Sequence, residues 1–290
     1  MPPRLGAFLA IVFWGVAFVF TKRVVSEIPP AALVFARACL GTLLLLGLLA
    51  WRGERLLPPR RALPQLLVMG FIGVAFHQML QAEALRFTSA INTGWLIGLI
   101  PVWSALLAAA LGRERFGPLK VVGLAVGFGG ALLVVTRGHL GGGFLALPST
   151  RGDLLVLAST VNWAVYSLIG LRTIRELGPT QATAGAMMLG AAMLLPFFLA
   201  AGGPALFRGL TPVGLAALLA LGFLSSGLGY LFWYGALEKI EATKVAAFLY
   251  LEPLATLGAA VVLLGEPVGV ATVAGGALVL LGVAIVQRAK

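Results

Sequence analysis

Charge is scarce in this chain. Of its 290 residues only 11% are Asp, Glu, Lys or Arg, and the acidic ones number 10. A soluble domain carries about 25% charged residues. With 60% of its residues hydrophobic, no soluble fold of this length could hide the apolar surface, whereas lipid can. There is one cysteine, Cys39, set in an apolar run. It excludes an internal disulfide and says little about compartment. There are two histidines, and no second ligand stands at ligand spacing from His77, so no metal site is expected. No Walker A glycine loop occurs, which excludes direct drive by ATP, and no cofactor is expected. No A-x-A-like cleavage site follows the first apolar run, 5–20, so that run reads as a retained span. The net charge of +11 is scattered between apolar runs and forms no basic face, which excludes nucleic acid as a partner.

What is present is a sequence written twice. Residues 70–134 slide forward by 152 positions, without a gap, onto 222–286. Gly70-Phe71 falls on Gly222-Phe223, Pro101 on Pro253, Glu114 on Glu266, Gly123 on Gly275 and Gly130 on Gly282. Pro and Gly are the residues that backbone geometry is least able to replace, so their agreement outweighs matching Leu or Val. A second match, at a shift of 149, pairs Trp14 with Trp163, Arg23 with Arg172, Glu27 with Glu176 and Pro30 with Pro179. The reading is one unit duplicated, residues 1–150 and 151–290.

A span needs about 20 mainly apolar residues. The hydrophobic runs predict an all-α integral membrane fold of about ten spans, near 5–21, 31–51, 63–85, 88–111, 118–136, 152–171, 180–200, 212–236, 242–264 and 268–286. With the N-terminus inside, fourteen of the 21 Lys and Arg fall on the inner side and six on the outer, and Arg37 lies within a span. The bias places both termini in the cytoplasm, in an inner or plasma membrane. Five spans per unit is an odd number, so the second unit enters the membrane from the opposite side. Two inverted five-helix repeats recur in secondary transporters, in which exchanging the packing of the halves moves the opening across the membrane.

Two stretches carry a family likeness. One is Ala84-Leu85-Arg86-Phe87-Thr88-Ser89-Ala90, followed by Pro101 and Gly112-Arg113-Glu114. The other is Ala236-Leu237-Glu238-Lys239-Ile240-Glu241-Ala242, followed by Glu252-Pro253 and Gly265-Glu266. With the Trp14-Gly15 and Asn162-Trp163 openings, the whole chain resembles the ten-helix EamA-type branch of the drug/metabolite transporter superfamily. The first copy departs from the closing Gly-Glu pair, since Arg113 intervenes. The resemblance implies a basket of helices whose third, fourth, eighth and ninth spans line a cavity, helped by the first and sixth. It also implies export of amino acids or related small metabolites, with substrates that differ among relatives.

Polar groups inside spans must face protein or water. The third span carries His77, Gln78 and Gln81; the fourth Asn92 and Trp95; the sixth Asn162, Trp163 and Tyr166; the eighth Tyr230 and Tyr234. Together with Trp14 these are the candidate substrate-binding residues, with interhelical hydrogen bonding and the interfacial aromatic belt as the alternatives. Arg37 stands about seven residues into its span and could reach the outer interface by snorkelling. Glu252, near the middle of the ninth span, is a candidate for coupling transport to protons, by itself or paired with Arg37. Pro101 and Pro253 each remove an amide donor and predict bends at mid-membrane. Glu114 and Glu266 read as helix-capping or gate-sealing residues.

These observations point to a carrier without covalent chemistry, embedded in the lipid bilayer, whose partners are a small-molecule substrate and, as a candidate, protons. The rival readings are an intramembrane serine hydrolase built on Ser225-Ser226-Gly227 with His77, and a lipid scramblase. The hydrolase lacks the G-x-S-G that would present its nucleophile.

Overall fold

The computed structural model describes residues 2–111, 117–139, 148–237, 239–240, 245 and 247–288. Ten long helical segments follow one another: α1 Pro3–Val25, α2 Pro30–Trp51, α3 Arg60–Ala84, α4 Ala90–Ala110, α5 Pro118–Thr136, α6 Pro148–Leu177, α7 Pro179–Ala200, α8 Pro212–Leu237, α9 Phe248–Leu264 and α10 Val270–Arg288. Among the described residues nine are long and apolar enough to cross a membrane, and α9 is a shorter apolar helix. Proline occupies the first turn of α1, α2, α5, α7 and α8, where its missing N–H has no helical partner to lose. Ser89 caps α4 by accepting from the Asn92 N–H at 3.0 Å, and Thr211 caps α8 by accepting from Gly214 at 3.1 Å. Phe197, Val262 and Val270 point outward from their helices, exposed as lipid contact requires.

The two halves meet in reciprocal contacts. A Cβ on Gly123 of α5 would stand 2.9 Å from the Gly282 carbonyl of α10, and one on Gly275 would stand 2.7 Å from the Gly130 carbonyl. Gly123 and Gly275 are repeat equivalents, as are Gly130 and Gly282. A contact that returns when the halves are exchanged is what a two-fold axis generates. Numbering rises along α5 as it falls along α10, so the helices are antiparallel and the axis runs across them, in the membrane plane. The halves are inverted. The same exchange sets α2 against α8 through Gly41 and Gly222, and α7 against α3 through Gly190 and Gly70. Glycine at these crossings is what lets the backbones approach.

The third helix of each half is not α-helical throughout. Gly70–Phe76 in α3 and Leu221–Gly229 in α8 form wide π-helical turns, and a shift of 152 lays the first onto residues 222–228 of the second. Such turns gather at functional sites. The prolines expected to bend α4 and α9 do more than bend them. In α4 the helix stops at Ile97 and restarts at Ile100. At the start of α9 a tighter 3₁₀ stretch, Ala247–Leu251, which begins one residue ahead of it, gives way to α-helix at Glu252. Pro101 and Pro253 each sit in the first turn of the restarted helix. A proline amide has no proton to give, so the preceding turn cannot pair in α-helical register.

Candidate functional site: a central cavity between the halves

The wide turn of α8, the helix breaks and the aromatic side chains surround one cavity of about 110 Å³. From α1 come Trp14 and Thr21, from α3 His77, Gln78 and Gln81, and from α6 Trp163. The eighth helix contributes Ser225 and Tyr230, the fourth Pro101, and the ninth Tyr250, Glu252 and Pro253. Two helices outside the expected set also take part: α2 supplies Arg37, and α10 supplies Gln287, which accepts a hydrogen bond from the Tyr250 hydroxyl at 2.6 Å.

One wall is aromatic. The Trp14 ring lies 5.4 Å from that of Tyr230, and Trp163 lies 4.8 Å from His77 and 6.4 Å from Tyr230. Tyr230 also borders a second cavity of about 280 Å³ at the end of the bundle where both termini lie, between Pro2, Arg52, Thr180, Tyr234 and Lys239. Tyr230 is therefore the partition between the two spaces.

Arg37 corrects one expectation. It does not reach for an interface: it is 6% exposed, donating from Nε to the Ser226 hydroxyl at 3.1 Å and from Nη2 to the Ser225 hydroxyl at 3.2 Å. Two neutral acceptors within reach make the inward position tenable. Glu252, 7% exposed, lines the same cavity, and among the described residues no ion pair joins it to Arg37.

Five of the expected residues stand elsewhere. Asn92 donates to both oxygens of Asp153, at 3.2 and 3.3 Å. Trp95 lies against Gly276, whose missing side chain makes room for the indole. Asn162 donates to the Ile72 carbonyl at 2.8 Å, within the wide turn of α3. Tyr166 packs on Gly73 behind Trp163, their rings 5.0 Å apart, and Tyr234 lines the second cavity. In the first four cases a neighbouring helix takes up the polar or aromatic group before the central cavity does.

Asp153 carried no signal in the sequence. It is the chain's one aspartate, sits one turn into α6 and is fully buried. Thr88 and Asn92 bond to its carboxylate. Around it lies a polar layer that closes the bundle end opposite the termini. Lys22 of α1 pairs with Glu266 at 3.2 Å and donates to the Thr88 carbonyl at 2.6 Å. Glu266 in turn accepts from the Ala90 and Ile91 N–H groups at 2.9 and 3.1 Å, so it caps α4. Its repeat partner Glu114 lies outside the described residues. At the same end Glu27 accepts from the Thr211 N–H and hydroxyl, each at 2.8 Å, and pairs with Arg23 at 2.7 Å. The Thr211 amide, ahead of the other groups, holds the Glu27 carboxyl below the usual carboxylate range. These bonds tie α1, α4, α6, α8 and α9 together at one end, and the second cavity lies at the other.

Comparison with known proteins agrees with this architecture. The model of the EamA-like transporter family matches twice, over residues 2–136 and 150–288. An uncharacterized transporter of Archaeoglobus fulgidus is 32% identical over 277 residues, covering 95% of this chain and 93% of its own. A probable terminal-alkyne amino-acid exporter of Streptantibioticus cattleyicolor is 29% identical over 284 residues, covering 97% and 91%. A crystal structure superposes with a TM-score of 0.69 at 23% identity, covering 98% of this chain and 94% of the other, a likeness of fold. Two matches to one family, in register with the two halves of a ten-helix bundle, place this chain in the EamA-like transporter family.

Proposed function

We propose that the chain is a secondary transporter that exports small amphipathic metabolites, amino acids or related compounds among them, by alternating access. One observation carries the reading. A cavity between two inverted halves bears a cation and a carboxylate that do not pair with each other, beside an aromatic wall. Amphipathic compounds with charged ends and an apolar body suit such a lining. The probable amino-acid exporter among the relatives supports the same substrate class. The second cavity and the polar layer correspond to the open and shut ends of one of the two states that alternating access requires. The charge bias supports a cytoplasmic position for both termini and for the second cavity beside them, which suits export.

The hydrolase reading has less support. Both serines accept hydrogen bonds from Arg37, a permanent cation that cannot take their protons.

Counterflow in proteoliposomes tests the proposal. The purified protein should exchange at least one member of a panel of amino acids, nucleobases and organic cations, with saturation. A panel without saturable exchange would overturn it, and labelling of Ser225 or Ser226 by a fluorophosphonate would restore the hydrolase.

A further inference from the structure

Arg37 has no partner of opposite charge among the described residues, although it is buried in the wall of the central cavity. Its two hydrogen bonds go to neutral hydroxyls. A buried ion carries a desolvation penalty that neutral acceptors relieve only in part. The local structure is nevertheless shaped to hold it. Ser225 and Ser226 are sequence neighbours in the wide turn of α8, where each residue advances fewer degrees around the axis than in an α-helix. Both hydroxyls therefore reach the same guanidinium. Gly41, one turn along α2 from Arg37, lets the two helices close. A Cβ there would stand 2.9 Å from that of Ser226. Guanidinium has five N–H donors in a rigid plane. The serines take two, and fixing Nε and Nη2 fixes the plane.

We infer that Arg37 is the anion-binding pole of the transport site: Ser225 and Ser226 orient its guanidinium so that the remaining donors receive the carboxylate of the substrate. A carboxylate matches that fork with two parallel hydrogen bonds. It also supplies the missing negative charge, so the buried cation is neutralised only while substrate is bound. The aromatic wall of Trp14, Trp163 and Tyr230 would receive the apolar part. This deepens the proposed function by naming the group every good substrate must carry, and it rests on that reading for the word transport but not for binding.

The test is therefore a binding experiment. Phenylacetate and phenethylamine share a ring and differ in the sign of their charge. Each is titrated onto purified protein in nanodiscs, read by the fluorescence of the cavity tryptophans and by isothermal calorimetry. Wild type should bind phenylacetate saturably and at least about tenfold more tightly than phenethylamine, the margin expected of a hydrogen bond to a charged group. Arg37→Gln should erase that preference. Arg37→Lys should restore part of it, a point charge without the fork. Ser225→Ala with Ser226→Ala should weaken phenylacetate more than phenethylamine, narrowing the preference severalfold. Equal affinity of wild type for the two probes would overturn the inference even if Arg37→Gln failed to fold. So would a folded Arg37→Gln protein that still prefers phenylacetate. Failure of counterflow alongside an Arg37-dependent preference would instead count against the transporter reading alone.

Discussion

Trp14 donates its indole N–H to the Ser225 carbonyl at 3.1 Å, which carries a side chain of α1 into the wide turn of α8. Asn162 does the same from α6 into the wide turn of α3, at the Ile72 carbonyl and 2.8 Å. Trp163, the neighbour of Asn162, is the repeat equivalent of Trp14. In each half, then, the first helix donates one side-chain bond into the π-helical turn of the other half. Both wide turns are part of the seam between the halves, and that of α8 is also part of the cavity wall, through Ser225.

Removing one such donor should loosen that seam. Asn162→Leu leaves a carbonyl without its side-chain partner and should lower stability by about 1 kcal/mol, read as a fall in melting temperature of the detergent-solubilised protein. Trp14→Phe should lower it similarly and also weaken binding, since Trp14 faces the cavity. An Asn162→Leu protein that melts with wild type would show the bond to be incidental.

Trp163 touches His77, Tyr166 and Tyr230 at ring-centroid distances of 4.8, 5.0 and 6.4 Å. Trp163→Ala removes the centre of that wall and should abolish saturable transport while the protein still reaches the membrane. Wild-type uptake by the variant, at equal amounts in the membrane, would leave Trp163 as packing.

Much of this was legible in the sequence because it rests on residues with few substitutes. Gly123, Gly130, Gly275 and Gly282 recur at the repeat shift because α5 and α10 touch there backbone to backbone. Pro101 and Pro253 recur because both helices restart at them. The wide turns left no such mark: a π-helical register is set by what packs around the helix, and Phe71 or Leu224 would fit an α-helix as well. Asp153 was invisible for a related reason. Its partners Thr88 and Asn92 lie 65 and 61 residues away, so no local spacing announces them. Asn92 and Trp95 are buried as the span pattern implies. They meet Asp153 of α6 and Gly276 of α10 instead of the cavity. Periodicity gives the direction of a side chain but not which neighbour it meets first.

Glu27 sets an acid limit on the closed end. Its carboxyl is held below its ordinary value, chiefly by the Thr211 amide. The stability it contributes is therefore fully present above the unfolded value, about 4.3, and is lost as pH falls through the lower folded value. Melting temperature in detergent should drop on acidification below about pH 4.3. Glu27→Gln should lower it at neutral pH and flatten that acid limb. A variant that follows the wild-type curve throughout would exclude Glu27 from the limb.

Glu252 tests proton coupling. Its carbonyl accepts from the Thr256 hydroxyl, which is also bonded to the Gly15 carbonyl of α1, while among the described residues nothing bonds to its carboxylate. Glu252→Gln keeps shape and hydrogen-bonding capacity and removes the ionisable group. If the carboxylate carries the coupling proton, the variant will exchange substrate yet ignore an imposed pH gradient. A wild-type protein that itself ignores the gradient would make the carrier a facilitator.

The pair Lys22–Glu266 bears on which end opens. If the chain works by the proposed alternating access, α1, α4, α6 and α9 must separate at the end they now share, and the bonds between them must break. Glu266→Gln removes the charge from the pair with Lys22 and weakens the cap on α4, so it should favour the state open at that end. Interactions of this kind are worth about 1–3 kcal/mol, enough to shift the balance of two states about fivefold or more. Thr21, which lines the central cavity, gives the readout. With Cys39 replaced by Ser and Thr21 by Cys, a membrane-impermeant maleimide applied to intact cells should label the protein slowly. Adding Glu266→Gln should raise the rate about fivefold or more, and Lys22→Met should do likewise. Unchanged labelling in both variants would show that the pair staples helices without gating access. Fast labelling before either change is made would mean that the open end, with Arg52 and Lys239, faces the outside, which would reverse the orientation drawn from the charge bias.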